Sequence, residues 1–587
     1  MTTTTATATR RRATRGTSPW LLAAAAALPL AFLAIFFVLP VTGMLTRGFA
    51  AEGGGVDLGG FADVFGRART GRVLWFTLWT STVATLVTTA VGLPLAYVLY
   101  RLALPGRRAL RAVVAIPFVM PTVVVGVMFR SLLAPGGPLG WLGLDGHWAA
   151  ILAAFVFFNL AVVTRTVGAT WEHLDRRAED AAATLGASPW TVWRTVTWPA
   201  LAPTTLSAAS VVFLFCSTAF GVVLTLGGLR YGTVETEIYL LTTTLLDLRA
   251  AAVLSVVQFA AVAAMLAVTA LLRERAEVSQ SRSGATSSPQ PRKVTRAAAV
   301  PLTVAGFAIA FLLGPIVSLV VGSLRRDGEW TVANYAALGT VTRSNALTTT
   351  VWDALAMSAR IALAAALLAV ALGLLVSIVV SRRPASRRGR ATLRVLDAVF
   401  MLPLGISAVT VGFGFLITLD RPPLDLRSSV ALIPIAQAMV ALPLVVRTIA
   451  PALRAIDDRQ RQAAATLGAS PWQVLRVVDL AVVRRPLLAA IGFALAVSLG
   501  EFGATSFLSR PDRPTLPVVI YQLVGRPGAE NFGMALAASV VLSVLTGVVI
   551  APASRPPGQR TSRGTCSTSS NKVRPWPKSP CSQKDSP

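Results

Sequence analysis

Few side chains in this 587-residue chain have the type and spacing for chemistry. Its two histidines, His147 and His173, and its three cysteines, Cys216, Cys566 and Cys581, are too few and too scattered for a metal cage or a disulfide framework. None of the four lysines (Lys293, Lys572, Lys578, Lys584) follows the glycine-rich turn of a phosphate loop, so the chain is expected to bind no ATP, metal or other cofactor and to be no enzyme. Two features remain. One is Glu501, inside the apolar run Ser498–Leu508; a charge at mid-bilayer costs about 2.5–3.5 kcal/mol, so such a residue faces a cavity or a partner. It reads either as a cation-attracting residue on a path or as a packing acid bonded to a neighbouring hydroxyl. The other is the decapeptide AAATLGASPW, which occurs at Ala181–Trp190 and again, 282 positions later, at Ala463–Trp472.

Each copy reads as two short helices with a hinge between them. Gly186 or Gly468 supplies the left-handed residue that closes the first helix. Ser188 or Ser470 is then the N-cap of the second, with Pro189 or Pro471 at its first position. A helix surfaced by alanine buries little by itself, so its small face suits insertion into a groove on something larger. A bulky residue at Ala182 or Ala464 would overpack that seat by roughly 1–3 kcal/mol.

The elements that must position these features are membrane helices. The composition is 54% hydrophobic and only 14% charged, and apolar runs of about 20 residues, long enough to cross a bilayer, recur along the chain. They predict an all-α polytopic fold with about twelve spans in two homologous six-helix halves. The spans are expected near 20–42, 74–100, 111–133, 148–168, 200–227 and 250–272, then 300–322, 351–380, 394–419, 428–450, 487–509 and 533–550. Residues 1–19 are a polar N-terminus and 20–272 the first half, with its elbow at about 172–199. The Ser/Pro-rich stretch 273–299 is a flexible linker, 300–550 the second half with its elbow at about 454–486, and 551–587 a tail too polar to form a core. A cleaved signal peptide is the rival reading of the first apolar run, but the similar segment at Val300–Leu324 favours a membrane anchor.

The net charge of +28 is gathered in loops, not interleaved with aromatics, which fits the positive-inside rule better than the nucleic-acid reading. Arg101, Arg107, Arg108 and Arg111, the linker arginines, and Arg382, Arg387, Arg388 and Arg390 all fall on the side of the N-terminus. That side is expected to be cytoplasmic, and both decapeptides face it. The 282-residue register continues through Arg165-Thr166 and Arg447-Thr448, Phe220-Gly221 and Phe502-Gly503, Ile238-Tyr239 and Ile520-Tyr521, and Leu254 and Leu536. Two like halves about an axis are a common way to build a central path. Phe220, Gly221, Glu501, Phe502 and Gly503 are its candidate lining, although the counterpart of Glu501 is Ala219. Pro117, Pro121 and Gly126, with Pro403 and Gly412, are expected to break the third span of each half, and Arg165 and Arg447 to snorkel at span ends.

The decapeptide resembles the EAA loop of inner-membrane permeases of ATP-binding-cassette importers. That family's Glu-Ala-Ala-x-x-x-Gly falls on Asp180-Ala181-Ala182-Ala183-Thr184-Leu185-Gly186 and on Gln462-Ala463-Ala464-Ala465-Thr466-Leu467-Gly468. The later proline is kept at Pro199 but replaced by Ala481, and the acid is kept only at Asp180, with Glu179 before it. The resemblance implies a type I importer in a bacterial inner membrane, with each elbow coupled to a cytoplasmic ATP-binding subunit, two copies in all, that holds ATP and magnesium. It also implies an extracytoplasmic solute-binding protein. The fused layout, VFFNL at 156–160, TVETEIY at 233–239 and the SLGEFG segment are most similar to thiamine permeases, with ferric-iron permeases close behind and those for sulfate or molybdate as further alternatives. A twelve-helix secondary transporter is the reading from another class.

Overall fold

The computed structural model describes residues 19–49, 57, 59–228, 230–282, 292–341, 347–382, 386–420, 425–426 and 429–551. The expectations for residues 1–18, 283–291 and 552–587 lie outside these. Apart from short turns and the hairpin pairing Arg325 and Arg326 with Trp330 and Glu329, the architecture is helical. The first half runs α1 Ala23–Phe49, α2 Ala68–Arg101, α3 Arg107–Val119, α4 Thr122–Leu133, α5 Trp148–Glu172, α6 Arg176–Thr184, α7 Pro189–Ser217, α8 Gly221–Leu226, α9 Val234–Thr243 and α10 Leu248–Arg282. The second repeats the order: α11 Ala299–Ser323, α12 Val351–Val380, α13 Arg387–Met401, α14 Ala408–Thr418, α15 Leu432–Arg454, α16 Asp458–Thr466, α17 Trp472–Gly500, α18 Gly503–Leu508, α19 Leu516–Val524 and α20 Ala529–Ile550.

The expected twelve spans are not all straight crossings. Among the described residues ten helices are long and apolar enough to cross, or eleven if α3 and α4 count as one span bent by 105°. The third spans fail for the reason their prolines foretell. Pro121 has no N–H to continue α3 and starts a new helix, while Leu402–Gly405 forms a 3-10 turn around Pro403 before α14. The stretch expected as the start of a flexible linker is also structured, since α10 continues to Arg282 and the chain resumes at Arg292 in a backbone pairing with Leu102.

Each half lends its first helix to the other. Helix α1 packs on α12 and α14 as well as on its own α10, and α11 packs on α2 and α4 as well as on its own α20. The contacts are close because small residues sit at them. A Cβ at Gly43 of α1 would strike Thr418 of α14, and the Ser318 hydroxyl of α11 lies 3.1 Å from that of Ser131 of α4. Within each half a glycine lets the second helix meet the fifth: Gly92 against Val163 and its counterpart Gly373 against Val445. With lipid outside, packing of this kind replaces the hydrophobic effect as the force that holds helices together.

Tracing the chain places both elbows at one end of the bundle. Arg292 pairs with Leu102 at the end of α2; α11 then crosses to the far end, where Asn334 donates to the Ser323 carbonyl. Helix α12 returns, so Arg382, just past it, lies at the end where α11 began.

Candidate functional site: twin elbows and a central aromatic break

The two decapeptides fold alike. At the end of α6 the Ala187 N–H donates to the Ala182 carbonyl (3.1 Å) and the Gly186 N–H to the Ala183 carbonyl (3.0 Å), with Gly186 at φ +85°. The same pair of bonds, 3.1 Å each, joins Ala469 to Ala464 and Gly468 to Ala465, again at φ +85°. This Schellman turn needs the left-handed residue that glycine provides. The Ser188 hydroxyl then accepts from the Thr191 N–H (3.2 Å), and Ser470 forms a reciprocal cap with Gln473.

In one respect the elbows differ from two short helices and a hinge. The helix that starts at Pro189 does not stop: it passes through a π-helical turn at Trp193–Thr197 and becomes the span α7, and Leu475–Asp479 does the same for α17. The π turn occurs at the same place in both halves, before Pro199 in the first and before Ala481 in the second, so it does not depend on the proline. Each elbow is therefore the root of a 29-residue helix.

Of the sequence candidates, Asp180, Ala181, Gly186, Pro189, Gln462, Ala463 and Gly468 are surface residues or, for Pro471, at the same turn, whereas Ala182 and Ala464 are half-buried against their own chain. The side chains that stand out furthest were not singled out from sequence. Leu185 and Leu467 are 88% and 89% exposed, and Trp190 and Trp472 are 69% and 68% exposed. Large apolar groups bared in matched pairs mark a contact surface.

A buried ion cluster behind each elbow ties it to the bundle. Behind the first, Glu179, 3% exposed, takes an ion pair from Arg101 of α2 (2.5 Å), a hydrogen bond from the Thr197 hydroxyl at the end of the π turn (3.0 Å) and a longer contact from Arg292 (3.2 Å). Asp180, the acid the motif preserves, is 69% exposed and only 3.9 Å from Arg292. Behind the second elbow the polarity is exchanged. Arg461 occupies the place of Glu179 and Asp479 that of Thr197, and Asp479 pairs with Arg461 (2.8 Å) and Arg382 (3.0 Å). The 282-residue offset already aligns these positions, and reading it for charge would have found the swap.

At the other ends of α7 and α17 the helices break, at Thr218–Phe220 and Glu501–Phe502, before resuming as α8 and α18. Gly221 and Gly503 let the resumed helices press on α4 and α14: a Cβ would lie 2.5 Å from the Thr122 hydroxyl and 2.9 Å from Ala408. The breaks bring Phe220 and Phe502 face to face across the pseudo-two-fold axis, their centroids 5.3 Å apart and the planes 21° from parallel. Tyr239 lies 5.3 Å from Phe220 and Tyr521 5.4 Å from Phe502, a second matched pair. Glu501 is buried and caps α18, its carboxylate accepting from the N–H groups of Ala504 (2.7 Å) and Thr505 (3.1 Å).

Comparison with known proteins agrees with this two-fold plan. The thiamine transport system permease protein ThiP of Escherichia coli (strain K12) is 28% identical over 492 residues, covering 82% of this chain and 88% of that protein. ThiP of Brucella abortus (strain 2308) is 29% identical over 554 residues, 92% of this chain and 96% of that protein. A putative 2-aminoethylphosphonate transport system permease protein, PhnV of Salmonella typhimurium, is 29% identical over 238 residues, 40% of this chain and 86% of its own length. The profile of the family described as binding-protein-dependent transport system inner membrane component matches twice, at residues 91–276 and 373–553. These segments take in the elbow, the helix that grows from it and the central break of each half and amount to more than half the sequence; the chain belongs to that family, as a multi-pass inner-membrane permease with both copies fused in one polypeptide.

Proposed function

We propose that this chain forms the transmembrane path of a thiamine importer, with its elbows seated on two copies of a cytoplasmic ATP-binding subunit and its opposite face receiving solute from an extracytoplasmic binding protein. The observation that carries the reading is likeness to thiamine permeases over both halves and across 82–92% of the chain; the PhnV relative matches only 40% of it. The exposed Leu185/Trp190 and Leu467/Trp472 pairs support the seating, since alanine-surfaced helices that bare one leucine and one tryptophan fit a groove. The arginines beside the elbows support a cytoplasmic placement of that end and of the N-terminus. ATP and its magnesium belong to the partner.

The lever helices supply the mechanics. Each elbow is continuous with a helix about 43 Å long at ~1.5 Å per residue, which ends at the break carrying Phe220 or Phe502. When nucleotide draws the two ATP-binding subunits together, the elbows approach, the clusters around Glu179 and Asp479 carry that movement into α7 and α17, and the phenylalanine stack at their far ends parts. Hydrolysis lets it close. The test is uptake of labelled thiamine by proteoliposomes holding this chain with its ATP-binding subunit and, outside, its solute-binding protein. Uptake is expected to stop on ATP depletion and to survive a protonophore. Uptake driven by the proton gradient alone would place the chain among secondary transporters, and retention of ferric iron instead of thiamine would replace the solute.

A further inference from the structure

We propose that the ring box of Phe220, Phe502, Tyr239 and Tyr521 is itself a solute site, and that it accepts a flat cationic ring between the two phenylalanines as their stack opens. The inference rests on the thiamine reading and adds the residues that would recognise the solute inside the membrane. The rings form two pairs related by the internal repeat, and Phe507 adds a fifth ring at 5.3 Å from Tyr239. Stacked at 5.3 Å, the phenylalanines leave no room between them, so what passes must take the place one ring holds against the other. A planar aromatic solute replaces those ring–ring contacts in kind, which an inorganic ion or a polyol does not.

The surroundings select the sign of charge. A cavity of about 170 Å³ adjoins the box, lined by Tyr239, Phe502, Tyr521, Ser506, Ser509 and Gln522, among others. It opens away from the elbows: Thr348, at the far end of α12, donates to the carbonyl of Pro511 on its rim. Arg510 stands on that rim, exposed. Two buried carboxylates, Glu501 and Glu235, lie near the helix breaks that carry the phenylalanines. Glu501 immediately precedes Phe502. Glu235 accepts from Ser407 (2.8 Å) and from Gln258 (3.1 Å), whose amide also donates to the Ser217 carbonyl three residues before Phe220. The donors to both acids are amides, hydroxyls and backbone N–H groups; the ion pairs seen among the described residues include neither. The ring faces present negative potential, and the Ser509 hydroxyl at the cavity wall has no hydrogen-bond partner among the described residues. A chamber so lined favours a delocalised cation, as a thiazolium is, over an anion or a neutral sugar.

The test uses the full permease with its ATP-binding subunit in nanodiscs, without the binding protein, and titrates labelled thiamine and, in parallel, thiochrome, its neutral oxidised tricycle. The variants are the doubles F220L/F502L, which keeps apolar bulk but removes the π faces, and F220Y/F502Y, which restores them. We expect thiamine to bind about tenfold or more weakly to the leucine double, from loss of contacts of cation–π strength, to recover in the tyrosine double, and thiochrome to be little changed. Unchanged thiamine affinity in the leucine double overturns the site while leaving the importer reading intact. A wild-type complex that imports a different solute and no thiamine overturns the reading beneath it. Should the doubles not assemble with the ATP-binding subunit, the single Tyr521→Leu, half-buried at the cavity, serves instead, with the same tenfold loss expected and an unchanged affinity overturning the proposal.

Discussion

Truncating the two bared leucines, Leu185→Ala and Leu467→Ala together, separates docking from folding. Each side chain is almost wholly exposed, at 88% and 89%, so its loss changes little in the permease alone. In the docked complex the same side chain would be buried. Removing about three carbons at ~0.8 kcal/mol each gives roughly 2 kcal/mol per elbow. With the elbows seated on two subunits of one motor, as proposed, the losses would sum to about 4 kcal/mol, or on the order of a thousandfold in affinity at ~1.4 kcal/mol per factor of ten. The assay is biolayer interferometry of nanodisc-held permease against immobilised ATP-binding subunit at fixed nucleotide, with a thermal melt of the permease beside it. Affinity should fall by two to three orders of magnitude, roughly, while the melting temperature stays put. Trp330, exposed at the opposite end of the bundle, is the control. Undiminished binding, or an equal loss from Trp330→Ala, would refute the assignment of the elbows as the seat.

The remaining predictions concern the elbow turns, the clusters behind them and the cap at the central break. Gly186→Val with Gly468→Val meets no steric neighbour, since nothing lies within 4 Å of either Cβ position, so its cost is the left-handed backbone alone, about 1–2 kcal/mol per site. Uptake should be lost with membrane insertion intact, whereas Asn at both positions, which tolerates φ near +85°, should transport; equal activity of the Val and Asn forms would show that the turn is dispensable. Glu179→Gln strands Arg101, 2% exposed, without its counter-charge and should destabilise the permease by about 3–5 kcal/mol, read as a lowered melting temperature. The double change Arg101→Met with Glu179→Met removes both charges and should recover most of that loss; no recovery would show that the pair is not the source. Glu501→Gln keeps one acceptor for the two N–H groups at the start of α18 and should lower stability by about 1–2 kcal/mol without abolishing assembly, checked by denaturant titration in detergent.

What could be read without coordinates followed from periodicity and chemistry that act locally. Twin turns closed by Gly186 and Gly468, the N-caps at Ser188 and Ser470, and breaks at Pro121 and Pro403 are set by a residue and its near neighbours, and each is present. That the third spans break was legible from those prolines, but the size of the first break, 105°, was not, because hydropathy sees only the apolar content of 111–133 and 394–419. The continuation of Pro189 through Trp193–Thr197 into a span was hidden because a π turn has no composition of its own. The stack of Phe220 on Phe502 depends on where two distant breaks meet, although the repeat had aligned both phenylalanines. Glu501 illustrates the limit in another way: its burial in an apolar run was legible, but its service to two N–H groups was a matter of geometry.

The reciprocal loan of α1 and α11 bears on how the protein is made. Helix α1 leaves the ribosome some three hundred residues before α12, the first of the second-half neighbours it will clasp. During that interval its unmatched flank has lipid as solvent, which its nearly uniform apolar surface tolerates at little penalty. A nascent first half is thus an unfinished body awaiting its sibling, and the covalent join guarantees that the sibling arrives, in equal number and on the same strand.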